Sequence, residues 1–178
     1  MKDIQVITGC MFAGKTTELI NRLRVTNHNY LLVKPIIDNR DSHNSVCTHD
    51  GVQEKAIRVN KVSDIFKLLS NIQVVGIDEA QFFQPSIIDD LYYLKDKNIK
   101  VIIAGLEKDY LHKPFKSMQK IISMADTVIR LQATCNNCGK PATHSHRKNT
   151  SSKKQLLIGA ENFYEALCGC LLYTSPSP

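Results

Sequence analysis

Asp3-Ile-Gln-Val-Ile-Thr8, then Gly9-Cys-Met-Phe-Ala-Gly14-Lys15-Thr16, then Thr17-Glu-Leu-Ile20: these consecutive pieces decide the fold. The first reads as a buried strand. The third, continued to about residue 24, reads as a helix with Leu19, Ile20 and Leu23 on one face. Between them the chain fits the pattern G-x-x-x-x-G-K-[ST]. A glycine-containing loop from strand to helix can curl so that several N–H groups point at phosphate oxygens. The helix N-terminus adds partial positive charge. Lys15 can reach the β- and γ-phosphates, and Thr16 can hold Mg²⁺. The loop Gly9, Cys10, Met11, Phe12, Ala13, Gly14, Lys15 and Thr16 is therefore expected to bind the phosphates of a nucleoside triphosphate.

Outward from this loop, strands and helices alternate. Residues 30–34 form a second strand pattern, stopped by Pro35. Residues 36–51 are polar and read as a long loop, a type that is usually functional or mobile. Residues 56–59 make a short strand, and Ser63 can cap a helix reaching residue 69. Residues 73–78 are an apolar strand ending in acid. Pro85 can open a helix with Ile87, Ile88, Leu91 and Leu94 on one face. Residues 99–105 and 127–131 read as strands, with a helix over 115–124 between them. This alternation predicts an α/β fold, a mostly parallel sheet covered by helices on both faces. After Leu131 the character changes, and residues 143–154 are nearly free of apolar side chains. The expected division is a nucleotide-binding domain over 1–132 and a small subdomain over 133–170.

Asp78-Glu79-Ala80-Gln81 closes the apolar strand over 73–78. In parallel sheets ligands gather beyond the carboxyl ends of the strands, where the phosphate loop also lies. Asp78 is placed to organise Mg²⁺ through water, and Glu79 to take a proton from an attacking hydroxyl. An Asp-Glu pair in this place also serves ATP-hydrolysing motors. The residues alone give ATP, Mg²⁺ and a base, and leave the acceptor open.

A length of 178 residues suits one domain with a small satellite. Hydrophobic residues at 43% and charged residues at 22% are ordinary for a soluble globular chain. No apolar run approaches the length of about 18 residues that a membrane helix needs. Residues 1–4 lead straight into the strand pattern without a signal-peptide shape, so the expected location is the cytoplasm. The net charge of +6 is spread over scattered lysines and suits a polyphosphate site. No stable nucleic-acid partner and no membrane partner are expected.

Of six cysteines, Cys135 and Cys138 form a Cys-x-x-Cys pair, and Cys168 and Cys170 lie close together. In a reducing compartment, paired cysteines suggest metal before disulfide. Two pairs so separated fit a four-thiolate tetrahedral Zn²⁺ site. Cys168-Gly169-Cys170 has one intervening residue, which demands a different backbone geometry. His144 and His146 are alternative ligands.

The residues also carry a resemblance. Residues 9–19 are similar to the phosphate loop of the cytosolic-type (type II) thymidine kinases, G-P-M-F-[SA]-G-K-[ST]-x-E-L. Cys10 stands where that family usually has Pro. A thiol there is either oxidation-sensitive or a small buried hydrophobe. In the family's order, Asp38-Asn-Arg40 resembles its D-x-R, and Cys47-Thr-His-Asp50 a loop signature. Ile77-Asp-Glu-Ala-Gln-Phe-Phe83 resembles its I-D-E-[GA]-Q-F-F, and Lys113-Pro-Phe115 the segment after its next strand. Cys135 and Cys138 match the first half of its zinc ribbon. The resemblance spans residues 3–168.

It implies transfer of the ATP γ-phosphate to the 5′-hydroxyl of thymidine or deoxyuridine. Glu79 would be the general base, and Lys15 would stabilise the moving phosphoryl group. Thr16 and Asp78 would serve Mg²⁺, with Ala80 and Gln81 beside the nucleotide. Asp38 and Arg40 would arrange the phosphate and loop region. Met11, Phe82, Leu106, Tyr110 and Phe115 would line the nucleoside pocket, Tyr110 standing where the family commonly has Phe. The stretch between the cysteine groups resembles a lasso that closes over the nucleoside. Leu157, Ile158, Gly159 and Tyr164 would flank the base, and Arg147 matches a basic lasso position. A closed lasso excludes water and limits ATP hydrolysis. The resemblance further implies structural Zn²⁺ on Cys135, Cys138, Cys168 and Cys170, a homotetramer, and feedback inhibition by thymidine triphosphate (dTTP).

Residues 169–178 depart from the family's basic, cysteine-containing close. Gly169-Cys-Leu-Leu-Tyr-Thr-Ser-Pro-Ser-Pro178 reads like translated sequencing-adapter DNA joined to a truncated gene. Native sequence is then expected to stop near Cys168, with Cys170 accidental. Two other classes compete with the kinase. A nucleic-acid-stimulated ATPase would use the same Asp78-Glu79 pair, but the chain is short for a two-lobed motor. A zinc-ribbon interaction module leaves the phosphate loop without a purpose.

Overall fold

In the computed structural model, which describes residues 3–37, 45–47, 53–148 and 163–174, the apolar runs pair into a single main sheet. In chain order the elements are β1 (Ile4–Gly9), α1 (Lys15–Val25), β2 (Tyr30–Pro35), β3 (Ser45–Cys47), β4 (Gln53–Lys55) and β5 (Ile57–Val59). Then come β6 (Val74–Ile77), α2 (Ile87–Asp96), β7 (Lys100–Gly105), α3 (Lys116–Met124) and β8 (Thr127–Leu131). The sheet order is β5-β2-β6-β7-β1-β8, with every neighbouring pair parallel.

The sequence explains why both faces are covered. Side chains alternate across a strand, so Val101 and Ile103 of β7 face one side, and Ile102 and Ala104 the other. On one face α1 sets Leu19, Ile20 and Leu23 against Ile7, Leu32, Val74 and Ile102. On the other, Leu91 and Leu94 of α2 and Met118 and Ile121 of α3 pack against Val6, Val75 and Val101. Gly76 of β6 lets α1 lie close, since a Cβ there would meet Leu23 Cδ1 at 2.6 Å.

Three local expectations change. The polar stretch 36–51 is not all loop, because Ser45–Cys47 pairs antiparallel with Gln53–Lys55 as a short ladder. The expected α-helix after Ser63 is a 3₁₀ helix over Val62–Leu68. Its start is held by Asp64, whose carboxylate accepts the Asn60 and Lys61 N–H groups at 3.0 Å each. The Ser63 N–H instead donates to Asp90 at 3.1 Å. β2 runs through Pro35, one residue further than expected.

Beyond the sheet, β9 (Ala133–Thr134) pairs with β10 (Pro141–Ala142), and β11 (His144–Arg147) with β12 (Tyr164–Leu167). Part of the stretch that resembles a lasso is thus strand. A last helix, α4, covers Gly169–Thr174. Among the described residues, no helix is long and apolar enough to cross a membrane.

Candidate active site

β1 delivers the chain to the phosphate loop at the carboxyl edge of the sheet, next to the ends of β7 and β8. Gly9 has φ 155°, and a Cβ there would meet the Leu131 carbonyl oxygen at 2.5 Å. Phe12 sits at φ 66°, in the left-handed region that ordinary side chains avoid. Such strain persists where surrounding structure over-determines the backbone. Lys15 Nζ donates to the Cys10 carbonyl at 2.7 Å, so the ammonium curls back over the loop. Thr16 Oγ1 donates to the two carboxylate oxygens of Asp78 at 3.1 and 3.3 Å. Asp78 is buried just past β6 and also accepts the Glu79 N–H at 2.9 Å. A hydroxyl beside a carboxylate is the hard-oxygen donor set that Mg²⁺ accepts while keeping several waters.

Glu79 follows at φ 52°, again left-handed. Its carboxylate accepts a hydrogen bond from Gln81 Nε2. Gln81 Oε1 in turn accepts the Leu106 N–H at 2.9 Å, and the Gln81 carbonyl accepts Ser117 Oγ at 3.3 Å. Gln81, expected beside the nucleotide, therefore ties the candidate base to the end of β7. Ala80, expected there too, is buried in the apolar core.

Five of the expected nucleoside-lining residues belong to, or pack against, the apolar core cluster of one sheet face. Met11, Leu106, Phe115 and Tyr164 are buried in one cluster with Ala80 and Phe83, and Tyr110 packs against it. Phe82 is half-buried and lies outside that cluster. Asp38, Arg40, Leu157, Ile158 and Gly159 fall outside the described residues, as do lasso residues 149–162. A cleft of about 330 Å³ lined by Thr8, Gly9, Glu107, His112, Arg130 and His144 has none of Lys15, Thr16, Asp78 or Glu79 in its wall.

Sequence reasoning missed Ser145. Its Oγ accepts the Met11 N–H at 2.9 Å, and Cys10 Sγ donates to the Ala142 carbonyl at 3.3 Å. The small subdomain thus grips the phosphate loop. Alternation within His144-Ser-His-Arg147 was the available signal, since Ser145 and Arg147 share the buried face of β11. Arg147, expected at a basic lasso position, lies in β11 and is only 1% exposed. Burial pushes the Cys10 thiol above its usual value, and the side chain packs with Ala133 and Ala142 as a small hydrophobe.

Cys135, Cys138 and Cys168 bring their sulfurs within 4.8 Å of one another, with Cys138 and Cys168 3.6 Å apart. Thiolates on one tetrahedral zinc, each at about 2.3 Å, sit at about this separation. Burial raises the Cys135 thiol, but N–H groups of Cys168, Asn137 and Cys138 outweigh it and bring it to about 6. The Lys140 N–H lowers Cys138, while burial and the Cys168 and Cys135 thiols raise it further than that. A thiol already inclined to lose its proton is the donor a zinc ion takes, so the trio fits a zinc-binding subdomain. Cys170, expected as the fourth ligand, is exposed and not in this group. His144 and His146 are not in it either: His144 packs edge-on to His112, and His146 pairs with Glu165 at 3.9 Å.

The sequence profile described as Thymidine kinase matches residues 2–171, across both the sheet and the cysteine subdomain. The chain belongs to the thymidine kinase family. It is 37% identical over 179 residues to the thymidine kinase of Mesoplasma florum, covering 93% of this chain and 88% of that protein. It is 39% identical over 169 residues to the thymidine kinase of Mycoplasma mobile, covering 93% and 84%. Among solved structures, the Thermotoga maritima RuvB Holliday junction branch migration motor aligns with 73% of this chain and 38% of its own. That likeness has a TM-score of 0.44 at 15% identity, too slight to bear on fold or function. As a thymidine kinase, the chain is an ATP-dependent nucleoside kinase. The family's reaction is phosphorylation of thymidine, with ATP and Mg²⁺ as the donor pair. A nucleic-acid-stimulated ATPase is not favoured.

Proposed function

We propose that this thymidine kinase transfers the ATP γ-phosphate to the 5′-hydroxyl of thymidine or deoxyuridine, with Glu79 as the general base. The observation that carries the assignment is the Glu79–Gln81–Leu106 chain, which holds a carboxylate at the carboxyl end of the sheet beside the apolar cluster. Glu79 takes the proton from the 5′-hydroxyl as it attacks. Lys15 swings from the Cys10 carbonyl to the phosphates and balances the charge of the moving phosphoryl group. Thr16 would hold Mg²⁺ and Asp78 would organise it through water, and the ion would supply positive charge against the phosphate oxygens. Met11, Leu106, Tyr110, Phe115 and Tyr164 surround the base. Asp38, Arg40, Phe82, Leu157, Ile158 and Gly159 complete the site on the resemblance alone.

Cys135, Cys138 and Cys168, whose sulfurs lie together, would hold a structural Zn²⁺. The same resemblance extends to a cytoplasmic homotetramer inhibited by thymidine triphosphate in the acceptor site. Light scattering on the purified protein, with and without that nucleotide, reads the assembly. Incubating protein with ATP, Mg²⁺ and a panel of nucleosides, and resolving products by chromatography, tests the reaction. Thymidine monophosphate is the expected product, and ATP hydrolysis without nucleoside product sinks the proposal. Glu79→Gln keeps ATP binding and lowers kcat by about 100-fold or more. Unchanged turnover removes Glu79 as the base.

A further inference from the structure

β11 presents a second buried polar residue two positions after Ser145. Arg147 places its guanidinium carbon 3.6 Å from the centre of the Tyr110 ring and 5.2 Å from that of Tyr164. Its Nη2 donates to Tyr164 Oη at 2.6 Å. Arg147 and Tyr164 are also register partners across β11 and β12, so the backbone fixes what the side chains complete. Tyr110 comes from the loop after β7 and Tyr164 from the far side of the lasso, 54 positions apart in the chain (164 − 110). A guanidinium is planar and stays charged. It can stack on one ring and hydrogen-bond another at once. Burying such a cation is costly unless it finds partners, and here the partners are the Tyr110 ring and the Tyr164 ring and hydroxyl.

We propose that Arg147 is a positioning residue that fixes Tyr110 and Tyr164 as walls of the nucleoside pocket, and so sets affinity for the nucleoside rather than the rate of phosphoryl transfer. This rests on reading the cluster around Met11, Leu106 and Phe115 as that pocket. Ser145 and Arg147 then divide the work of one strand. Ser145 holds the donor loop through Met11, and Arg147 holds the acceptor walls.

The test compares full-length wild type with Arg147→Met, Arg147→Lys and Tyr164→Phe, reading KM for thymidine and for ATP separately. Arg147→Met is expected to raise KM for thymidine about tenfold, the scale of a lost charged hydrogen bond, while KM for ATP changes less than about twofold. Arg147→Lys should recover little, since an ammonium cannot stack as a plane. Tyr164→Phe should raise KM for thymidine and add nothing further in the Arg147→Met background, because both remove the same bond. If Arg147→Met does not fold by circular dichroism, Tyr164→Phe alone decides. An unchanged thymidine KM in either folded variant overturns the proposal, as does a parallel rise in both KM values. Wild type that turns over ATP but not thymidine sinks the pocket reading itself. Wild type active on thymidine with indifferent variants sinks only the role of Arg147.

Discussion

Gly9 is the tightest single residue of the phosphate loop. Its φ and the nearby Leu131 carbonyl leave no room for a side chain. Gly9→Ala should lower stability by about 1–3 kcal/mol and weaken ATP binding, read by thermal melting and nucleotide titration. An unchanged melting point would mean that the loop relaxes freely. Residues of this loop were legible in the sequence because their relations are local: a strand, eight residues and a helix. Ser145 was not, since its partner Met11 lies 134 positions away and no spacing rule connects them. Gln81 was assigned to the nucleotide by its neighbours in the motif. Only three dimensions show that its amide holds Glu79 and Leu106.

At the scale of elements, the apolar periods identified the six strands of the sheet and its three helices, because burial on two faces writes itself into composition. The β3–β4 ladder was not legible, since three-residue strands with exposed Gln53 and Lys55 carry no period. Leu91 lies fully buried on the inner face of α2. Leu91→Ala should cost about 2–5 kcal/mol in urea unfolding, with the midpoint falling and the slope unchanged. The start of β8 is tied to β1 by Asp126, whose carboxylate accepts the Ile4 N–H at 2.9 Å and pairs with Lys95 at 3.2 Å. The Ile4 N–H first, and then Lys95, hold its pKa below the usual 3.8. Folding favours the ionised form. The contribution is therefore complete above about 3.8 and is lost as pH falls through the lower folded value. Asp126→Asn should lower the melting temperature modestly at neutral pH, with the difference from wild type closing in acid. A difference that persists in acid would assign the effect to something other than charge.

At the scale of the molecule, the cysteine trio brings the two ends of the small subdomain together, and that subdomain touches the phosphate loop through Ser145 and Ala142. If zinc sits on the trio, chelation should lower the melting temperature and raise KM for ATP as that grip loosens. Atomic absorption on variants separates the ligands. Cys138→Ser should lose the metal, while Cys170→Ser should keep it, because Cys170 lies outside the trio. Retention by Cys138→Ser, or loss by Cys170→Ser, would redraw the site.

The sequence by itself determined the parallel sheet, the phosphate cradle, the acid pair and, by resemblance, the family. Each depends on short-range order: apolar periods, glycines between strand and helix, and motifs read in series. Tertiary structure alone decided what the polar residues between the cysteines are for. Ser145 and Arg147 look like part of a solvated loop in a linear reading. Packed against Met11, Tyr110 and Tyr164, they become buried contacts. The physical reason is that a buried polar group is justified only by its partner, and these partners come from distant parts of the chain.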